Sequence, residues 1–182
     1  MKKIILIYGL ISGAIVSAMM FATIGMVEKG ETMKNGEIIG YTTMIIASSL
    51  IFFGIKSYRD NHLNGIITFL NAARIGILIA LIGALMYALS WEVIYSRTGE
   101  EFTKVMMEKR FEEIEKSGAS PKEIEETKKQ WESFGEMYKN PLIRFGITLM
   151  EILPVGIIFT LLSAALLKQK NFLRKTPLPI NT

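Results

Sequence analysis

Apolar residues in this chain gather into four long runs, Ile4–Val27, Ile38–Ile55, Ile75–Tyr95 and Ile143–Leu167. The first two hold no charged residue, the third only Glu92, and the fourth only Arg144 and Glu151. Within the runs no 3.6- or 2-residue period reserves one face for a core. Helices that are apolar all round suit lipid and neighbouring helices, since hydrocarbon leaves every backbone N–H and C=O to be satisfied within the segment. Each run has about the length a helix needs to cross a bilayer, roughly 17–25 residues at ~1.5 Å rise. The pattern predicts an all-α integral membrane protein of four transmembrane helices.

Lys2 and Lys3 ahead of the first run imitate a secretory signal, and Val16-Ser17-Ala18 a cleavage site. The run stays uncharged as far as Val27, however, longer than the ~7–15 residues of a signal's apolar region. A retained first span is expected. The polar stretches then divide the chain. Glu28–Glu37 is short and carries the turn residues Gly30, Asn35 and Gly36. Lys56–Arg74 is basic and then apolar again, so the third helix is expected to start early, with Arg74 snorkelling at the boundary.

The third connection, Ser96–Leu142, is long and charged. Phe102, Val105, Met106 and Ile114 recur at helical spacing in its first half, and Ile124, Trp131, Phe134 and Tyr138 in its second. Ser117-Gly118-Ala119 breaks the two apart. Ser120 as N-cap, Pro121 at the first helical position and Glu123 as capping-box partner start the second helix, and Asn140-Pro141 ends it. Residues 97–141 thus read as a helical hairpin inserted into a single membrane domain of residues 1–182. Its apolar faces are expected to pack on each other, with the membrane surface or a partner as alternatives, and its mixed charges to form a solvated surface.

Charge sets the expected orientation. Nine Lys and Arg residues lie on the side of the termini and eleven on the other, but the first set crowds the span ends while most of the second lies deep in the long loop. Juxtamembrane cations mark the cytoplasmic side. Both termini are therefore expected in the cytoplasm, which makes the hairpin extracytoplasmic. A net charge of +4 over 182 residues reflects these flanks and not a nucleic-acid surface. With no cysteine and the single histidine His62, thiolate chemistry, disulfides and a histidine-rich metal site are excluded, and no cofactor is expected. His62 reads as a headgroup contact.

The stretch Phe53-Gly54-Ile55-Lys56-Ser57-Tyr58-Arg59-Asp60, followed by Gly65-Ile66-Ile67-Thr68-Phe69 and Ala73-Arg74-Ile75-Gly76, resembles the domain-of-unknown-function 4199 family of bacterial membrane proteins. Met150-Glu151-Ile152-Leu153-Pro154-Val155-Gly156 and Ser163-Ala164-Ala165-Leu166-Leu167-Lys168 are similar to it too. The resemblance spans nearly the whole chain and implies a four-span protein of the bacterial cytoplasmic membrane. It implies no activity and no site residues.

Ionisable residues inside spans are costly unless paired or hydrated, so they are the candidates for chemistry. Arg144, Thr148 and Glu151 share one helix face by spacing, with Glu151 two turns deeper than Arg144. Glu92 lies about a turn inside the third span, at a depth where it can pair with Arg144. These four form a candidate polar cluster, to which Thr23, Thr42, Thr43 and Ser90 can add hydroxyls. Glu92 and Arg144 also fit the plainer role of interfacial anchors. Glu151 fits either ion or proton binding or a structural interhelical hydrogen bond, with Pro154 poised to kink the helix beside it. Tyr41, Tyr87, Trp91 and Tyr95 sit where an aromatic belt belongs. Gly9, Gly13 and Ser17, like Gly76, Ala80 and Gly83, form small-residue faces for close helix packing.

No nucleophile, acid–base pair or metal set is visible, so no enzyme is expected. The expected function is a non-enzymatic accessory or sensing component, embedded in the lipid bilayer, with a membrane-protein partner or a homo-oligomer as its assembly and no nucleic acid. The alternative is a small transporter or ion-conducting oligomer that uses Glu151.

Overall fold

The computed structural model describes residues 1–28 and 33–173, without the side chains of residues 25–28, 33–37 and 100. Gly30, Lys29, Arg174 and Lys175 lie outside the described residues. Five helices follow in order: α1 Lys2–Glu28, α2 Met33–His62, α3 Phe69–Lys116, α4 Pro121–Tyr138 and α5 Pro141–Leu167. Four contain a segment long and apolar enough to cross a membrane: Lys2–Ile24, Ile38–His62, Phe69–Gly99 and Pro141–Leu167. In the apolar windows of these helices only 28–33% of the residues are buried inside the molecule. The rest, including Leu10, Ile46, Leu89 and Leu162, face outward. So much exposed apolar surface requires lipid around it.

α3 packs against α1, α2 and α5, and α2 against α1 and α5, while α1 and α5 occupy opposite corners. Glycines set the closest approaches. A Cβ added at Gly9 or Gly13 would lie 2.7 Å from Ile82 Cβ or 2.6 Å from Met86 Sδ, so the small face of α1 is filled by α3 of the same chain. Ser12 donates to the Ala47 carbonyl of α2 at 3.1 Å, and Ser90 to Ser17 at 2.8 Å. Gly76 and Gly156 bring α3 and α5 together in the same way, against Thr160 and Ala80. Between them, Ile51, Ile55, Ile75, Ile79 and Leu167 form the core.

Two sequence expectations change. α2 begins at Met33, so Asn35 and Gly36 belong to its first turn, and it continues to His62 instead of ending at Ile55. Its last turns stay helical because Lys56 and Asp60 pair at i, i+4. Second, the arm beyond the third span is no separate helix: α3 runs unbroken for 48 residues. Gly99 continues the helix because its bare Cα leaves room for the Tyr95 ring, whose Cδ1 would stand 2.6 Å from a Cβ there. α5 runs through Pro154 to Leu167, with Pro154 on its exposed face.

α4 starts on the Ser120 capping box, with the Glu123 carboxylate accepting from the Ser120 backbone N–H at 2.8 Å. It runs back beside the projecting end of α3, tied by Lys128–Glu115 at 2.5 Å and by Gly135 against Met107. Those two helices form a stiff arm of mixed charge.

Candidate functional site

Where the arm meets the spans, one side chain joins three helices. Arg144, in the first turn of α5, carries only 6% of its side-chain surface exposed. Its Nε donates to Glu92 Oε1 at 2.9 Å and its Nη2 to Glu92 Oε2 at 2.5 Å, a two-pronged pair that joins α5 to α3. Its Nη1 donates to the carbonyls of Tyr138 at 3.0 Å and Lys139 at 3.3 Å, which end α4. A cation is well placed there, since carbonyls at a helix C-terminus lack intrahelical donors. The guanidinium also lies over the Tyr95 ring, 3.8 Å from its centroid.

Two further hydrogen bonds lie beside this joint. Trp91 Nε1 donates to Tyr138 Oη at 2.8 Å, and Thr148 Oγ1 donates to the Arg144 carbonyl at 2.9 Å. Burial pushes the Tyr138 phenol above its ordinary pKa, so it stays protonated and able to donate. Phe102 and Phe134 pack edge-on to Trp91 and stacked on Tyr138, at 4.9 and 5.5 Å between centroids. Tyr95 closes the group, with its hydroxyl 3.3 Å from Thr103 Oγ1. Of the aromatic residues expected as an interfacial belt, Trp91 and Tyr95 form the wall of the joint, whereas Tyr41 is exposed and Tyr87 stands beside Glu151.

The structure brings Glu92, Arg144 and Thr148 together. Glu151 stands apart, on the exposed side of α5, with the Tyr87 hydroxyl at 3.5 Å from its carboxylate. The expected hydroxyls do not reach it: Thr23 and Thr43 donate to carbonyls of their own helices, and Ser90 to Ser17. Short hydroxyl side chains in a helix find the preceding turn's carbonyl more readily than a neighbour's carboxylate. Thr42 is exposed on α2. Nor does His62 sit alone among headgroups; its ring stacks on Tyr58 at 5.1 Å.

A second polar centre had no counterpart in the sequence reading. Arg59 is completely buried at the opposite end of the bundle. It donates to Asp60 at 2.7 Å and to the carbonyls of Leu167, Phe172 and Leu173 at 3.3, 2.9 and 3.0 Å. These carbonyls close α5 and the turn after it. The two buried arginines thus have one role at two places: each neutralises a carboxylate beside it and gathers the carbonyls of a helix terminus. Among the described residues no group of three or more His, Cys, Asp or Glu could hold a metal ion.

Four apolar helices, locked by a buried ion pair at one end and a buried arginine at the other, define a multi-pass membrane protein built as a helical bundle. The sequence pattern of DUF4199, described as a protein of unknown function, matches residues 7–169, and the chain belongs to that family. Comparison with curated proteins and with solved structures gives no match.

Proposed function

We propose that the chain is a non-enzymatic membrane component that holds a stiff helical arm against the membrane for contact with a membrane-protein partner. The observation that carries this is the Arg144 joint. It fastens the end of α4 to α3 and α5 through charge-assisted bonds, so a load on the arm is passed to the spans and not lost in a flexible linker. Between α3 and α4 the arm also bears an open groove of about 1070 Å³, with Thr103, Met107 and Phe111 on its floor and Lys104, Glu108 and Glu132 at its rim. An apolar floor inside a charged rim suits recognition of a protein surface. The crowding of cations at the other end supports cytoplasmic termini and an extracytoplasmic arm.

Residues 104–135 are replaced by a short Gly/Ser linker, which spares Arg144, Tyr138 and Glu92, and the full chain is compared with this variant by affinity purification from gently solubilised membranes. The reading expects a defined membrane protein that copurifies with the full chain and is lost from the variant. The same proteins recovered from both would refute it. A second reading rests on Glu151, an acid on the exposed face of a span whose hydrogen bond to Tyr87 is long. Such a residue suits an ion path at a contact between copies. It predicts a flux in vesicles that Glu151→Gln abolishes.

A further inference from the structure

The end of the bundle that carries the N-terminus and the close of α5 is electrically unlike the arm. Lys2, Lys3, Arg74, Lys168 and Lys170 are all exposed there. Asp60, the single acid among the described residues at that end, is 5% exposed at its side chain and bonded to both Arg59 and Lys56. Among the described residues no exposed carboxylate offsets the five cations. Residues 100–139, by contrast, carry eleven acids against eight bases.

Within this positive rim lies a cleft of about 270 Å³, lined by Tyr8 of α1 and by Phe53, Lys56, Ser57, Asp60 and Asn61 of α2. Its donors are aimed for an oxygen-rich guest. The Lys56 ammonium has three N–H bonds and uses one on Asp60, at 2.5 Å. Ser57 Oγ accepts from Asn61 Nδ2 at 3.3 Å, which leaves the Ser57 hydroxyl proton to give. Asp60 would repel an anion were it bare, but Arg59 holds its other oxygen, so two cations compensate one carboxylate. Phe53, 52% exposed, offers an apolar wall on the lipid side of the same cleft. Polar donors at the headgroup level beside an apolar wall match the two parts of a phospholipid.

We propose that this cleft between α1 and α2 seats the phosphate headgroup of an anionic phospholipid, with Lys56, Ser57 and Asn61 as donors and an acyl chain along Phe53. The exposed cations of the rim concentrate anionic lipid around it, each adding to the attraction within a Debye length. The proposal goes beyond the partner role of the arm and does not depend on it.

The test is lipid binding to the purified, delipidated full chain in detergent, followed by native mass spectrometry with phosphatidylglycerol or phosphatidylcholine added. Phosphatidylglycerol is expected to bind about tenfold more tightly or better, the effect of more than one headgroup-level cation. Lys56→Gln should weaken it about fivefold, the loss of one such cation. Because Lys56 also serves Asp60, the double variant Ser57→Ala, Asn61→Ala gives a second reading that leaves the ion pair intact; it too should weaken phosphatidylglycerol selectively. Arg110→Gln, on the arm, should not. Equal binding of the two lipids overturns the proposal, as does wild-type affinity in both cleft variants. Displacement of the lipid by millimolar inorganic phosphate would assign the cleft to a free anion instead.

Discussion

Replacing Arg144 with Met keeps much of its length and apolar stem but removes the charge. Glu92 then loses both of its charge-assisted bonds, the Tyr138 and Lys139 carbonyls lose a donor, and the Tyr95 ring its cation. Taking one partner from a buried ion pair costs about 3–5 kcal/mol, mostly because the other charge stays behind. Glu92 has 23% of its side-chain surface exposed and can reach water, so the expected loss is smaller, about 2–4 kcal/mol. Glu92→Gln is milder. Arg144 keeps two carbonyls and a ring, and a neutral amide can still accept, so about 1–2 kcal/mol is expected. The double variant should cost less than the sum by about 1 kcal/mol or more, the signature of a direct contact. Unfolding in mixed micelles, followed by circular dichroism for helix content and by tryptophan fluorescence for Trp91 in the joint, measures each corner of the cycle. Effects that add within about 0.5 kcal/mol, or an Arg144→Met variant as stable as wild type, would refute the joint.

Other consequences follow from the same physics. Arg59→Met should destabilise the bundle by about 3–5 kcal/mol, since Asp60 and three carbonyls lose their donor in a fully buried place; proteolysis after Leu167 should speed up in parallel, and unchanged cleavage would count against the clamp. Gly76→Val pushes a side chain into Thr160, where even a Cβ would stand 2.6 Å from Cγ2, and should cost about 1–3 kcal/mol in the same unfolding assay. Ser120→Ala removes the N-cap of α4 and should raise amide exchange at its first turn about fivefold, with the spans unchanged. The backbone and hydroxyl bonds from Ser120 hold the Glu123 carboxyl below its ordinary pKa. A depressed carboxylate pKa stabilises the fold above the unfolded value and loses that effect as pH falls through the folded one. Exchange at the start of α4 should therefore rise as pH drops below the usual carboxylate range, and the Glu123→Gln variant should not respond.

The spans were legible because an all-round apolar helix needs no partner to be recognised, and the capping box because Ser120, Pro121 and Glu123 act within one turn. Glu92 and Arg144 could be placed together from depth alone, as each interrupts an apolar run near the same end. Arg59 could not. By sequence it matches the other flanking cations, and what buries it is the turn after α5, more than a hundred residues away. The continuity of α3 was hidden for a related reason: the charged stretch after Tyr95 reads as a connection, and only the packing of the Tyr95 ring over Gly99 shows the helix running on. Glu151 was singled out by composition, yet its surroundings depend on which side of α5 faces the bundle, and two turns of apolar residues on every side leave that unmarked.

The proposed role has the arm, and not the lipid-facing surface of the spans, meet a partner. The direct measurement is site-specific photo-crosslinking in native membranes from two positions: Met107, on the floor of the groove, and Leu78, exposed on the third span. A discrete protein adduct is expected from Met107, weakened by Arg144→Met, and lipid adducts from Leu78. No protein adduct from Met107, or the same protein captured from both positions, would contradict it.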